Sequence, residues 1–281
     1  MVKVKEVLYD TYSTRDWRIE KPLHGSKKEC YIASHQDKKV FVKFGVDTQI
    51  SQHLSEMKIT PNVMSAGMYD GETFFIQEYF DGRHPDGEWL SRNMEQVAAL
   101  IKIYHSDNKL SSLLRHTHSM VYTDLIQQEV TSLYRRLEKC NDPQFKNEAF
   151  TIAYAKFLDL KNDLVPVGLV PTHNEPNNSN MLVRSDQLTI IDWDDICLAD
   201  PIRDVGPFLW WYIPARDWER FLRLLGISLK PEVNRRIFWY AARISLEVAI
   251  WQAENKYDNS KAFLDDFFAA VNFLPNPRGI L

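Results

Sequence analysis

The chain predicts an α+β fold in two lobes: a small antiparallel β lobe with one helix, then a larger, mainly helical lobe. Three observations predict it. Short β-prone runs separated by turn residues fill residues 1–80. Beyond a Gly- and Pro-bearing stretch at 81–87 the apolar pattern switches to helical spacing. Within the helical part lies one polar loop flanked by short apolar strands, from Val170 to Trp193.

The elements follow in order. Residues 1 to about 12 read as a short lead-in helix or strand. Trp17 to Leu23 and Cys30 to His35 read as strands joined through His24, Gly25 and Ser26, and Lys39 to Phe44 (KVFVKF) alternates as a half-buried strand does. Asp47 to Met57 reads as a helix broken at Thr60-Pro61-Asn62. Val63 to Tyr69 and Thr73 to Phe80 read as strands turned at Asp70-Gly71. After the linker, Val97, Leu100, Ile101 and Tyr104 fall on one helical face that ends near His105. Tyr122 to Glu138, Phe145 to Leu160, Pro214 to Leu225, Glu232 to Asn255 and Ser260 to Phe273 read as further helices. In the longest, Ile237, Ala241, Ile244, Val248 and Trp251 form a stripe expected to face the core. The organisation is therefore an N-terminal lobe at 1–80, a linker at 81–87, and a helical lobe at 88–281 that carries the polar loop.

Composition excludes several classes. With 44% apolar and 26% charged residues the chain is neither disordered nor membrane-like. A net charge of −4 leaves no nucleic-acid footprint. No apolar run is long enough to span a bilayer, and MVKVKEVLYD lacks the apolar core of a signal peptide. Three scattered cysteines fit a reducing cytoplasm and are spaced wrongly for zinc.

The polar loop carries the chemistry. It reads His173-Asn174-Glu175-Pro176-Asn177-Asn178-Ser179-Asn180, and Asp192 follows Ile190-Ile191. Phosphoryl transfer needs a carboxylate near the attacking hydroxyl, oxygen ligands for Mg²⁺, and a hold on the nucleotide phosphates. Kinase catalytic loops supply the first two with H-x-D-x-x-x-x-N and a later strand-borne Asp. Lys43, at the end of Val40-Phe41-Val42-Lys43, stands where kinases put a phosphate-holding lysine.

On these motifs the chain resembles the aminoglycoside phosphotransferase and choline kinase superfamily, small-molecule kinases of protein-kinase-like fold. The likeness covers about residues 17 to 225. It implies ATP and Mg²⁺ as cofactors and a small-molecule hydroxyl, aminoglycoside-, choline- or sugar-like, as acceptor. It further implies Glu175 as the catalytic carboxylate, Asn180 and Asp192 as metal ligands, and His173 and Asp204 as supports of the catalytic loop. Gly25 and Ser26 would cover the phosphates, Lys43 would hold them, and the main chain of Glu78 and Phe80 would meet adenine. The ion-pair partner of Lys43 is open between Asp47 and Glu56. Asp194, Asp195, Trp210 and Trp211 are candidates for the substrate cleft, with the tryptophans equally readable as core. His105 reads as a structural histidine at a helix end, and Asp200 as an N-cap ahead of Pro201.

Glu175 departs from the usual Asp. The extra methylene shifts the carboxylate by roughly a bond length and adds a torsion. Pro176 behind it restricts Glu175 to extended backbone. That departure motivates an alternative, a pseudokinase serving as a nucleotide-binding module. A protein kinase is disfavoured, because no A-P-E segment follows Asp192.

Overall fold

In the computed structural model, which describes residues 2–22, 28–115 and 121–279, the alternating runs become a five-stranded sheet. The chain opens with α1 (Val2–Tyr12), β1 (Arg18–Glu20), β2 (Cys30–His35), β3 (Lys38–Phe44), α2 (Thr48–Glu56), β4 (Val63–Tyr69) and β5 (Glu72–Glu78). The strands pair antiparallel in the order β1-β2-β3-β5-β4. Asp70 and Gly71 turn β4 into β5 with φ of 50° and 78°, the positive values that a tight two-residue hairpin turn requires.

The period of two in β3 decides what each face does. Val40, Val42 and Phe44 are fully buried and share a core with Val4, Val7 and Leu8 of α1 and with Trp17, Tyr31 and Ile76. Burying side chains of this size stabilises by roughly 1.5–3 kcal/mol each. The lead-in segment is therefore a helix, held to the sheet by one apolar face. Phe41 and Lys43 point to the opposite face, so the same alternation that anchors the strand delivers Lys43 away from α1.

The chain next runs through α3 (Gly87–Arg92), α4 (Met94–His105), α5 (Asn108–Arg115), α6 (Tyr122–Lys139), α7 (Glu148–Leu160) and β6 (Val170–Thr172). A hairpin follows, β7 (Met181–Arg184) and β8 (Gln187–Ile190), turned at Ser185 and Asp186 with φ of 48° and 63°. Then come β9 (Cys197–Ala199), α8 (Ile202–Tyr212), α9 (Trp218–Leu224), α10 (Pro231–Glu254) and α11 (Ser260–Val271).

Contacts divide this chain into two compact units, Met1–Pro85 with Glu175–Ile196, and Asp86–Asn174 with Cys197–Leu281. The β7–β8 hairpin belongs to the first unit for a plain reason. Arg83 and Val183 exchange both backbone hydrogen bonds, at 3.0 and 2.8 Å, and Ile190 N–H donates to the Ile59 carbonyl at 2.8 Å. The second unit is built on α10, against which α8 packs. Gly206 permits that approach: a Cβ there would lie 3.2 Å from the Ile237 carbonyl oxygen and 3.3 Å from its Cα.

Three readings of the helical part need correction. α8 has no counterpart among the predicted helices, because Gly206 and Pro207 lie inside it and every residue from Asp204 to Tyr212 is buried, which leaves no polar face to mark a period. α3 and α5 are also additional. The stripe on α10 is displaced: Ile237 and Ala241 are buried, but the core face continues through Ser245, Leu246, Ala249 and Ile250, while Trp251 is exposed beside Tyr257. Among the described residues, no helix is long and apolar enough to cross a membrane.

Candidate active site

Lys43 is 4% exposed, and a buried ammonium is tolerated only with partners. It has two, Asp192 Oδ1 and Asp194 Oδ2, both at 2.8 Å. Neither acid of the α2 region takes that part. Asp47 caps α2, accepting from Ile50 N–H at 3.0 Å, and Glu56 pairs with His53 at 3.3 Å.

The route that brings both acids to one lysine is local. β8 closes with Ile191 N–H donating to the Asn180 carbonyl at 2.9 Å. Asp192 then adopts a φ of 61°, which breaks the strand's alternation. The Trp193 indole donates back to the Ile190 carbonyl at 3.1 Å and holds this turn. Asp194 also pairs with Lys28 at 3.4 Å. Burial opposes ionisation of Asp194, but Lys43 and then Lys28 hold its carboxyl below the ordinary range. Burial likewise works against the Lys43 cation, and Asp192 and Asp194 outweigh it, so the ammonium titrates above its usual value.

The loop before the hairpin displays its functional groups through a few short hydrogen bonds. Glu175 is exposed, while Pro176 beside it is buried. The Glu175 carbonyl accepts from Asn177 N–H at 2.8 Å and from the Asn180 side-chain amide at 2.9 Å. Asn177 caps the single turn at Asn178–Asn180, accepting from Asn180 N–H at 3.2 Å. The nitrogen of the Asn180 amide is thus engaged, and its Oδ1 takes no donor among the described residues. Asp192 Oδ2 is in the same condition.

Within the second unit, the residues just ahead of that loop are held by Asp204, which is wholly buried. It accepts from the backbone N–H of His173 at 2.9 Å and of Asn174 at 2.8 Å, and from the Tyr104 hydroxyl at 2.9 Å. His105 Nε2 lies 3.1 Å away and must donate, since an ionised carboxylate only accepts. Burial pushes the Asp204 carboxyl up, and His105, His173 and the backbone bond more than reverse it, leaving it below the ordinary range. Asn174 sits at φ 74°, with its side chain fixed by the Thr172 hydroxyl at 3.0 Å and by Cys197 Sγ at 3.1 Å. Asp200 accepts from Ile202 N–H at 2.8 Å, as a capping residue does, and also from Arg236 at 2.9 Å. The sequence contains no signal for the roles of Tyr104, Thr172 and Arg236, whose partners are distant in the chain.

Glu78 ends β5, and Phe80 is buried beyond it. The Phe80 amide makes no hydrogen bond among the described residues. Arg184 of the hairpin covers this stretch, 4.1 Å above the Phe80 ring and 3.2 Å from Glu78. Gly25 and Ser26 lie outside the described residues.

The substrate-cleft readings of Trp210, Trp211 and Asp194 do not hold. Trp210 is 2% exposed, edge-on to Phe238, and Trp211 is 6% exposed with its indole donating to buried Asp266 at 3.1 Å. Both are core. Asp194 is occupied by two lysines. Asp195 remains at the surface.

The fold has solved counterparts. Spectinomycin phosphotransferase APH(9)-Ia, in complex with ADP and spectinomycin, is 16% identical with a TM-score of 0.65, over 99% of this chain and 95% of that one. A choline/ethanolamine kinase family protein from Mesorhizobium loti is 14% identical with a TM-score of 0.66, over 97% and 93%. A thermostable mutant of aminoglycoside phosphotransferase APH(4)-Ia, in a ternary complex with ADP and hygromycin B, is 15% identical with a TM-score of 0.68, over 96% and 98%. At such identities these likenesses establish the fold. The model of the APH phosphotransferase enzyme family matches residues 47–237, about two thirds of the chain and the span that includes Lys43's two carboxylate partners. The chain belongs to the APH phosphotransferase enzyme family.

Proposed function

We propose that the protein transfers the γ-phosphate of ATP, with Mg²⁺, to a hydroxyl of a small molecule that is aminoglycoside-, choline- or sugar-like. The observation that carries this reading is the buried Lys43 clasped by two carboxylates of the hairpin that also presents Asn180. A buried cation facing two acids is the charge arrangement that a nucleotide with its metal would complete.

The residues fit those cofactors. Mg²⁺ prefers oxygen and binds through one or two protein ligands with phosphate oxygens and water. Asn180 Oδ1 and Asp192 Oδ2 are two oxygens without protein donors among the described residues. No cluster of three or more His, Cys, Asp or Glu suited to a metal occurs among the described residues, and a site shared with phosphate needs none. When bound, the metal neutralises charge on the phosphates.

The chain's own groups divide the work. Lys43 orients the phosphates. The Phe80 amide, which has no partner among the described residues, and the Glu78 carbonyl meet adenine at a hinge over 81–87. Glu175, exposed and held in direction by Pro176, orients the acceptor hydroxyl and takes its proton late. Asp204 and His173 keep the loop in shape. A cytoplasmic site of action belongs to the same proposal.

The test is ADP release by purified protein over aminoglycosides, choline, fructosamines and pentoses. Turnover with one of these classes supports the reading. Tight Mg-ATP binding with no acceptor turned over would favour the nucleotide-binding module, which Glu175 in place of Asp motivates.

A further inference from the structure

Lys43 is almost without water, so something must fix where its ammonium points. α2 does not, since Asp47 caps the helix and Glu56 reaches His53. The two acids that do reach Lys43 differ in kind. The Asp192 side chain is 38% exposed and offers one oxygen to Lys43. The Asp194 side chain is 10% exposed and spends both oxygens on lysines, Oδ2 on Lys43 and Oδ1 on Lys28. Lys28 lies two residues ahead of β2.

We propose that Asp194 is the positioning carboxylate of the nucleotide site: it brackets Lys43 and Lys28, and Lys28 is a second cation for the phosphates of a nucleoside di- or triphosphate. This rests on the phosphotransferase reading above. Two other roles for Asp194 fit less well. A metal ligand needs a lone pair turned to the metal, and a cationic acceptor needs access. Asp194 has both oxygens on lysines and little exposed surface.

The sign of one measurement separates bracket from bystander. A carboxylate that merely sits near phosphates repels them, so its removal tightens binding. A carboxylate that holds the binding lysines does the reverse. ADP affinity is measured by calorimetry without Mg²⁺, which silences any metal-ligand contribution. Asp194→Asn is expected to weaken ADP about tenfold, the loss of one charge-assisted hydrogen bond. In the Lys43→Ala background the same change is expected to do little, because the bracket has lost its main client. Unchanged or tighter binding, or full additivity with Lys43→Ala, overturns the proposal. A wild type that binds no ADP brings down the nucleotide reading itself, a different result from a wild type that binds while Asp194→Asn matches it. Should Asp194→Asn lose its circular dichroism, Lys28→Ala takes its place, because it leaves Lys43 with both acids. A several-fold weaker affinity then supports the bracket, and an unchanged one overturns it.

Discussion

Replacing Asp204 with alanine strands four donors at a site with no exposure: the Tyr104 hydroxyl, His105 Nε2, and the backbone N–H groups of His173 and Asn174. A buried donor left unpaired costs about 1–3 kcal/mol. Relaxation and entering water recover part of four such terms, so Asp204→Ala is expected to lose about 4 kcal/mol or more, a large share of the roughly 5–15 kcal/mol typical of a folded protein. Asp204→Asn keeps the volume but turns an NH₂ toward other donors, and should fall between wild type and alanine. Urea unfolding followed by circular dichroism measures both. Since the native carboxyl is depressed, its stabilising contribution is complete above the unfolded pKa of about 4 and is lost as pH falls through the lower native value. The alanine variant should lack that acid-limb dependence. An Asp204→Ala protein within about 1 kcal/mol of wild type would refute the reasoning, since surface substitutions alone stay inside about 0.5 kcal/mol.

Under the proposed assignment, Asp192→Ala abolishes turnover yet keeps the fold, because Asp194 still neutralises Lys43. At φ 61° alanine lacks the short polar side chain that lets Asp and Asn settle in this region, so Asp192→Asn is the companion variant, and near-wild-type rates in both would exclude the metal role. Lys43→Ala should cut the rate by about 10²-fold or more and weaken ATP, as read by steady-state kinetics. Glu175→Gln should lose about 10²–10⁴-fold in single-turnover experiments while binding Mg-ATP, and Glu175→Asp should keep a measurable part. A fully active Glu175→Gln enzyme would remove Glu175 from the chemistry.

The sheet was legible because its signal is local. Alternation in KVFVKF and the Asp70-Gly71 turn are properties of adjacent residues. α8 was not, because Gly206 and Pro207 carry the marks of a helix terminus, and only the close approach to Ile237 explains the glycine. α10 is buried around most of its circumference, so periodicity could not choose the right stripe. The order of Lys43, His173, Glu175, Asn180 and Asp192 could be read directly. The partner of Lys43 could not: the acids lie about 150 positions away in sequence, and the nearer Asp47 and Glu56 look equally able. The tryptophans after Asp192 looked like a cleft because aromatic character does not reveal which side of a helix is covered.

The first unit is assembled from two stretches separated by residues 86–174. A ribosome adds about 5–20 residues per second, so roughly 5–20 s pass between the emergence of Pro85 and of Ile196. During that delay β3 has been made, but the hairpin carrying Asp192 and Asp194 has not, and Lys43 lacks both its counter-charges. Lys43, on the face of β3 turned away from α1, stays open to water until the hairpin arrives. All five strands of that sheet lie before residue 85, so the nascent segment can pair them while the Lys43 face waits uncovered, and a fragment cut at residue 85 would keep that face bare.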